Sequence, residues 1–153
     1  MNPIPLNEQL ERAVPGKPKP GTSLRQLVNR LVSNLLIVAA DSRTSISNEV
    51  AADLYFETEE MTVTSIVDEL LTAVVANARQ GNIHIRAERL YDSVTLDIQE
   101  RNNYNGFALL HRVKSMEPDA ARVGGYIKMD DYRKLQTHIF FSFADQRKFS
   151  VMA

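Results

Sequence analysis

The stretch Met61-TVTSIVDELLTAVVANARQ-Gly81, followed at once by Asn82-IHIRAERL-Tyr91 and Ser93-VTLDIQE-Arg101, decides the fold. In the first segment Ile66, Val67, Leu70, Leu71, Val74 and Val75 recur at helical spacing on one face. Gly81 stands where a helix would stop. The two segments after it alternate apolar and polar residues, the period of a strand with one buried face. Tyr91–Asp92–Ser93 supplies turn chemistry between them, so they read as an antiparallel hairpin behind a long helix.

Upstream, residues 1–22 hold five of the six prolines and two glycines and read as an arm without regular structure. Ser23 is placed as an N-cap, and Leu24, Leu27, Val28, Leu31, Val32, Leu35 and Val38 predict one amphipathic helix to about Ala40, within a 23–42 segment. Its apolar stripe widens through Leu36 and Ile37. Such a stripe packs on the domain core or, being two-sided, grips a partner or a second copy. "TSISNEV" (44–50) reads as a short strand and "ADLYFETEE" (52–60) as an extended or turn segment. Between Asp41 and Leu70 eight acids face the single Arg43, a local charge of −7. That is the mark of a solvated face or of a dock for a basic partner.

Downstream, "NNYNG" (102–106) is a loop and Phe107 to about Ser115 a helix. Pro118 interrupts, and a further helical turn reaches Val123. Gly124–Gly125 then break the chain before "YIKMDD" (126–131). "RKLQ" (133–136) turns it into "THIFFSFA" (137–144), a closing hairpin. Paired strands with helices between them predict a two-layer α/β sandwich: one mixed, mostly antiparallel sheet covered by helices on one face.

Composition bounds function. The 153 residues suffice for one domain with a core of its own. The net charge of −1 gives no overall field for nucleic acid or an anionic membrane. The absence of cysteine excludes disulfides, thiolate catalysis and cysteine-held metals, and fits a reducing cytoplasm. The amino terminus lacks the basic-then-apolar order of a signal peptide. The most apolar run, Leu31–Ala40, is shorter than the roughly 20 residues that span a bilayer, so no membrane insertion is expected.

Four strings in order resemble the catalytic ATP-binding domain of sensor histidine kinases. "AVVANARQ" (73–80) lines up with that family's N-L-L-x-N-A-x-K box, with Asn77 and Ala78 matching and Ala73 and Gln80 replacing the first asparagine and the lysine. "VTLDIQERN" (94–102) stands at V-x-I-x-V-x-D-N-G-x-G, with Glu100 at the adenine-reading aspartate, Asn102 just after it, and no glycine. "ARVGGYIKM" (121–129) resembles L-x-G-G-x-I-x-V. "QTHIFFSFA" (136–144) resembles G-T-x-F-x-F-x-L-P, with Thr137 at the threonine.

The resemblance implies the histidine-kinase/gyrase-type ATPase fold over 43–153. It also implies a nucleotide site at Asn77, Glu100, Asn102, Gly106 and Thr137, with Asn77 as the Mg²⁺ ligand. An amide oxygen suits that hard cation. Glu100, however, is one methylene longer than aspartate, and Gly106 alone cannot build a phosphate nest. No lid sequence stands between "NNYNG" and "FALLHRVK".

A phosphoacceptor is not evident: the 23–40 helix has no histidine. His84 and His138 fall at polar strand positions and His111 on the helix after the loop. The sequence therefore points to a non-catalytic regulatory or adaptor module of bacterial two-component signalling. It would act by dimerising, or by binding a sensor kinase or response regulator through helix 23–40, with no cofactor. Weak Mg-ATP binding by a kinase fragment, and an unrelated α/β interaction domain, are the competing readings.

Overall fold

The computed structural model describes residues 21–130 and 136–146. The expected arm lies outside these but for its last two residues, and the 133–136 turn lies outside but for Gln136.

In chain order the elements are β1 (Thr22–Ser23), α1 (Leu24–Ser33), α2 (Leu36–Asp41), β2 (Ser45–Asn48), β3 (Tyr55–Phe56), α3 (Glu60–Asn77), β4 (Asn82–Leu90), β5 (Ser93–Glu100), α4 (Gly106–Ser115), α5 (Glu117–Arg122), β6 (Tyr126–Asp130) and β7 (Thr137–Ala144). One five-stranded sheet runs in the order β2-β4-β5-β7-β6. Its β2–β4 pair is parallel and the other three are antiparallel, so the sheet is mixed and mostly antiparallel as expected.

Register explains which face is covered. Ile85, Ile98 and Ile139 are mutual partners across β4, β5 and β7, as are Ala87, Leu96 and Phe141. These rows, with Ile83, Val94 and Phe143, form one apolar face that is at most 1% exposed except at Ala87. Against it pack Val63, Ile66, Val67, Leu70, Leu71, Val74 and Val75 of α3, Leu109 and Val113 of α4, and Ala120 of α5, all in one core cluster. Each such buried aliphatic or aromatic side chain contributes about 1.5–3 kcal/mol relative to exposure.

Three expectations are corrected. The helix expected over 23–40 is two helices, broken at Asn34–Leu35. Ser23 does cap the first, accepting from the Gln26 N–H at 3.2 Å. At the other end, the Asn34 and Leu35 amides bond to the carbonyls three residues back, Leu31 (3.2 Å) and Val32 (2.9 Å), and Ser33 Oγ donates to the Arg30 carbonyl at 2.6 Å. Side chains that compete for backbone hydrogen bonds end a helix in this way. The break divides the stripe. Leu24, Leu27, Val28 and Leu31 are buried in the common core, whereas Leu36, Ile37 and Val38 are 55%, 79% and 47% exposed.

The other two concern the segment before that helix and the end of α3. Thr22, expected to be irregular, and the N-cap Ser23 pair antiparallel with Phe56 and Tyr55. The long helix ends at Asn77, with Ala78 already extended, so Gly81 is not its stop.

Candidate functional site

The resemblance gathers its residues where α3 ends and β5 ends, and the structure does bring them together. Asn77 is the last residue of α3 and Glu100 the last of β5. Thr137 opens β7 as the register partner of Glu100. Asn102 lies in the five-residue connection 101–105, and Gly106 begins α4.

That connection folds onto the end of α3. The Asn77 main-chain carbonyl accepts from the Tyr104 N–H at 2.6 Å, and its Oδ1 accepts from the Asn105 N–H at 2.9 Å. Asn102 Nδ2 donates to the Arg79 carbonyl at 2.5 Å, while the Arg79 N–H donates to the Asn102 carbonyl at 3.1 Å. The Arg79 guanidinium bonds to the Ala76 and Ala78 carbonyls at 3.0 and 2.8 Å and stacks 4.9 Å over the Tyr104 ring. Asn105 caps α4, accepting from the Ala108 N–H at 3.0 Å. Gly106 therefore starts a helix whose end is already capped by a side chain.

Glu100 is 2% exposed. One carboxyl oxygen accepts from the Asn102 N–H; the other, Oε1, is buried without a partner. Burial outweighs the Asn102 hydrogen bond and pushes the carboxyl up to about 7. Gly81 makes room for it, since a Cβ there would stand 2.2 Å from Glu100 Oε2. Asn103 Nδ2 donates to Thr137 Oγ1 at 3.0 Å, both residues buried.

The polar groups that the resemblance assigns to a magnesium nucleotide are engaged within the fold or buried. The Asn77 amide oxygen is already an acceptor within the fold. Glu100 is a buried carboxyl shifted towards neutrality, and a five-residue connection offers neither lid nor phosphate nest. Among the described residues, no group of three or more His, Asp or Glu side chains could hold a metal ion.

Sequence reasoning missed Gly81, Arg79, Tyr104 and Asn105. The signal for Asn105 was present in "NNYNG", because asparagine is a turn and capping residue as well as a ligand.

The histidines lie elsewhere. His84 bonds through Nδ1 to Glu49, which also accepts from Arg86 Nε at 2.9 Å. The imidazole and then the guanidinium hold the Glu49 carboxyl down to about 2. His138 Nε2 bonds to Asp97 at 2.8 Å. Both sit on the sheet face away from the helices, while His111 is exposed on α4.

No family model matches the sequence, and no curated protein matches it. Solved structures do. The catalytic domain of the histidine kinase ThkA superposes with a TM-score of 0.66 at 14% identity, covering 82% of this chain and 96% of that one. A histidine kinase from Burkholderia phymatum STM815 gives 0.70 at 10% identity, covering 92% and 77%. ThkA in complex with the response regulator TrrA gives 0.61 at 15%, covering 81% and 41%. At these identities the likeness shows the fold: a histidine-kinase-type ATPase sandwich, and not some other α/β architecture. Among the described residues, no helix is long and apolar enough to cross a membrane.

Proposed function

We propose that this chain is a non-catalytic regulatory or adaptor module of bacterial two-component signalling, built on a histidine-kinase ATPase-like scaffold. The observation that carries the reading is the closed connection 101–105, which spends the Asn77 amide oxygen and the Glu100 carboxyl on its own backbone amides. A nucleotide would have to break those bonds before making its own. By analogy with the ThkA complex the partner is a response regulator, with a sensor kinase as the alternative. Its dock is the exposed apolar run Leu36–Ile37–Val38 of α2, a surface that a second copy could also cover.

One observation favours retained, weak Mg-ATP binding instead: Asn77 Nδ2 and Glu100 Oε1 are buried without partners. Calorimetric titration of Mg-ATP into wild type and Asn77→Ala separates the readings. The expected outcome is no heat and no thermal stabilisation in either protein. In a parallel arm, light scattering and pull-down with an Ile37→Asp variant should lose any partner or self-association that wild type shows. Saturable binding in wild type that Asn77→Ala abolishes would overturn the proposal in favour of the nucleotide reading.

A further inference from the structure

The sheet's open face holds a cavity of about 380 Å³, within the range of sites for small organic molecules. Its lining includes Asn82, His84 and Arg86 of β4, Gln99 of β5, Arg101 just beyond it, and His138 of β7. These residues alternate along their strands with buried Ile83, Ile85, Ile98 and Ile139, so they stand on the face away from the helices and from Asn77. His84, Gln99 and His138 are register partners and form one cross-strand row.

We propose that this row, flanked by Arg86 and Arg101, is a binding site for a small organic dianion, a phosphomonoester or a dicarboxylate. The charge pattern argues for an anion. Two guanidinium groups, two imidazoles and the amides of Asn82, Gln99 and Gln136 line the cavity, and its one carboxyl is that of buried Glu100. The carboxylates that hold the imidazoles, Glu49 and Asp97, are not part of the lining. Each fixes a ring through one nitrogen, and as imidazolium the ring has a second N–H to donate to an anion.

Among the described residues, Arg101 has no hydrogen bond or ion pair and Arg86 is engaged only through Nε. A guanidinium fork matches the paired oxygens of phosphate or carboxylate. A polyanionic macromolecule fits less well, because it would meet Glu49 beside His84 and Arg86, and Asp97 and Asp130 in the neighbouring register positions. The arginines and imidazoles stand on the sheet face opposite the closed nucleotide position, with which the cavity shares Glu100 and Thr137 at its floor, and the proposal stands whether or not the adaptor reading does.

The test follows the imidazole signals of the intact chain by NMR while phenyl phosphate, succinate or acetate is titrated in. Phenyl phosphate or succinate should saturate with a Kd on the order of 1 mM or lower, moving His84 and His138 but not His111. Acetate should bind about tenfold more weakly, having one charge fewer to place. Arg101→Gln and Arg86→Gln, both at exposed positions, should keep the wild-type melting temperature and weaken binding by about tenfold each. Preference for phenyl phosphate assigns the site to phosphomonoesters, and preference for succinate assigns it to dicarboxylates. Unmoved imidazoles at tens of millimolar of both dianions, or wild-type titrations in both arginine variants, would overturn the proposal.

Discussion

The Gly124–Gly125 turn and the 101–105 connection both link a strand of the sheet to a covering helix, yet they answer to different constraints. At the first, Gly124 has φ +70° and Gly125 lies so close to β7 that a Cβ would fall 1.6 Å from the Ser142 carbonyl oxygen. The requirement is backbone against backbone, so no side chain elsewhere can relieve it. At the second, the resemblance places residues that would serve a ligand. Here Asn102, Tyr104 and Asn105 turn their amide N–H groups onto Glu100 and Asn77 instead. A motif demanded by the fold must stay while the fold stays; a motif demanded by a ligand can be rebuilt from internal hydrogen bonds.

The sharpest way to break that contrast is Gly125→Ala. The clash with Ser142 should cost more than about 3 kcal/mol, seen as a collapsed urea midpoint or as failure to fold. Gly81→Ala is the paired control. Its Cβ meets the end of the Glu100 side chain at 2.2 Å, a group that can move, so the loss should be visibly smaller. Equal losses at the two glycines would mean that the Glu100 pocket is as rigid as the sheet.

A second, smaller effect tests the scaffold's polar clasp. Asp145 Oδ1 accepts from the Glu57 and Thr58 N–H groups at 2.9 and 2.8 Å, while Oδ2 takes Arg89 Nη2 at 2.6 Å. Arg89 also donates to the Tyr55 carbonyl at 2.6 Å, tying the β1–β3 ribbon to the end of the large sheet. Burial alone would raise the Asp145 carboxyl, but the Arg89 guanidinium and the two amides outweigh it and hold it below the usual range. A lowered carboxyl stabilises the fold above its ordinary pKa and loses that contribution as pH falls through the folded value. Asp145→Asn should therefore cost about 2–4 kcal/mol at pH 7, with the gap to wild type closing in strong acid. A gap that stays constant down to acid pH would show that the ion pair is not its source.

How much of this was legible in the sequence follows the range of the interaction. The α3 periodicity, the β4–β5 alternation and the glycine pair are local patterns, and each element was found where it read but for the end of α3, at Asn77 rather than Gly81. The break at Asn34–Leu35 was hidden because the apolar stripe runs on through Leu36 and Ile37, outward-facing residues indistinguishable by type from core. The pairing of Thr22–Ser23 with Tyr55–Phe56 was hidden for a different reason. Two-residue strands have no period, and the bond that ties them to the sheet joins Arg89 to the Tyr55 carbonyl, far apart in sequence. At the site, the residues Asn77, Glu100, Asn102 and Thr137 were readable by alignment of motifs. Their occupation by Tyr104 and Asn105 was not, because an asparagine that binds a ligand and one that caps a helix are the same letter.

Glu100→Gln gives the smallest expected effect and discriminates the site most finely. The carboxyl rises from its ordinary value of 4.5 to about 7 because folding buries it. A raised carboxyl leaves stability intact below pH 4.5, where both states are protonated, and erodes it as pH climbs to 7, because only the unfolded chain ionises freely. Above that, wild type carries the full cost of a buried charge, on the order of 1–3 kcal/mol. Glutamine keeps the oxygen that accepts the Asn102 N–H and never ionises. The variant should thus match wild type near pH 4.5 and exceed it by about 1–3 kcal/mol at pH 8, as read from urea unfolding at the two pH values. A variant less stable than wild type at pH 8 would mean that the ionised carboxylate has a use in the folded protein. The unpartnered Oε1 would then be an acceptor awaiting a donor, and the closed connection would have to be reread as a gate over a working site.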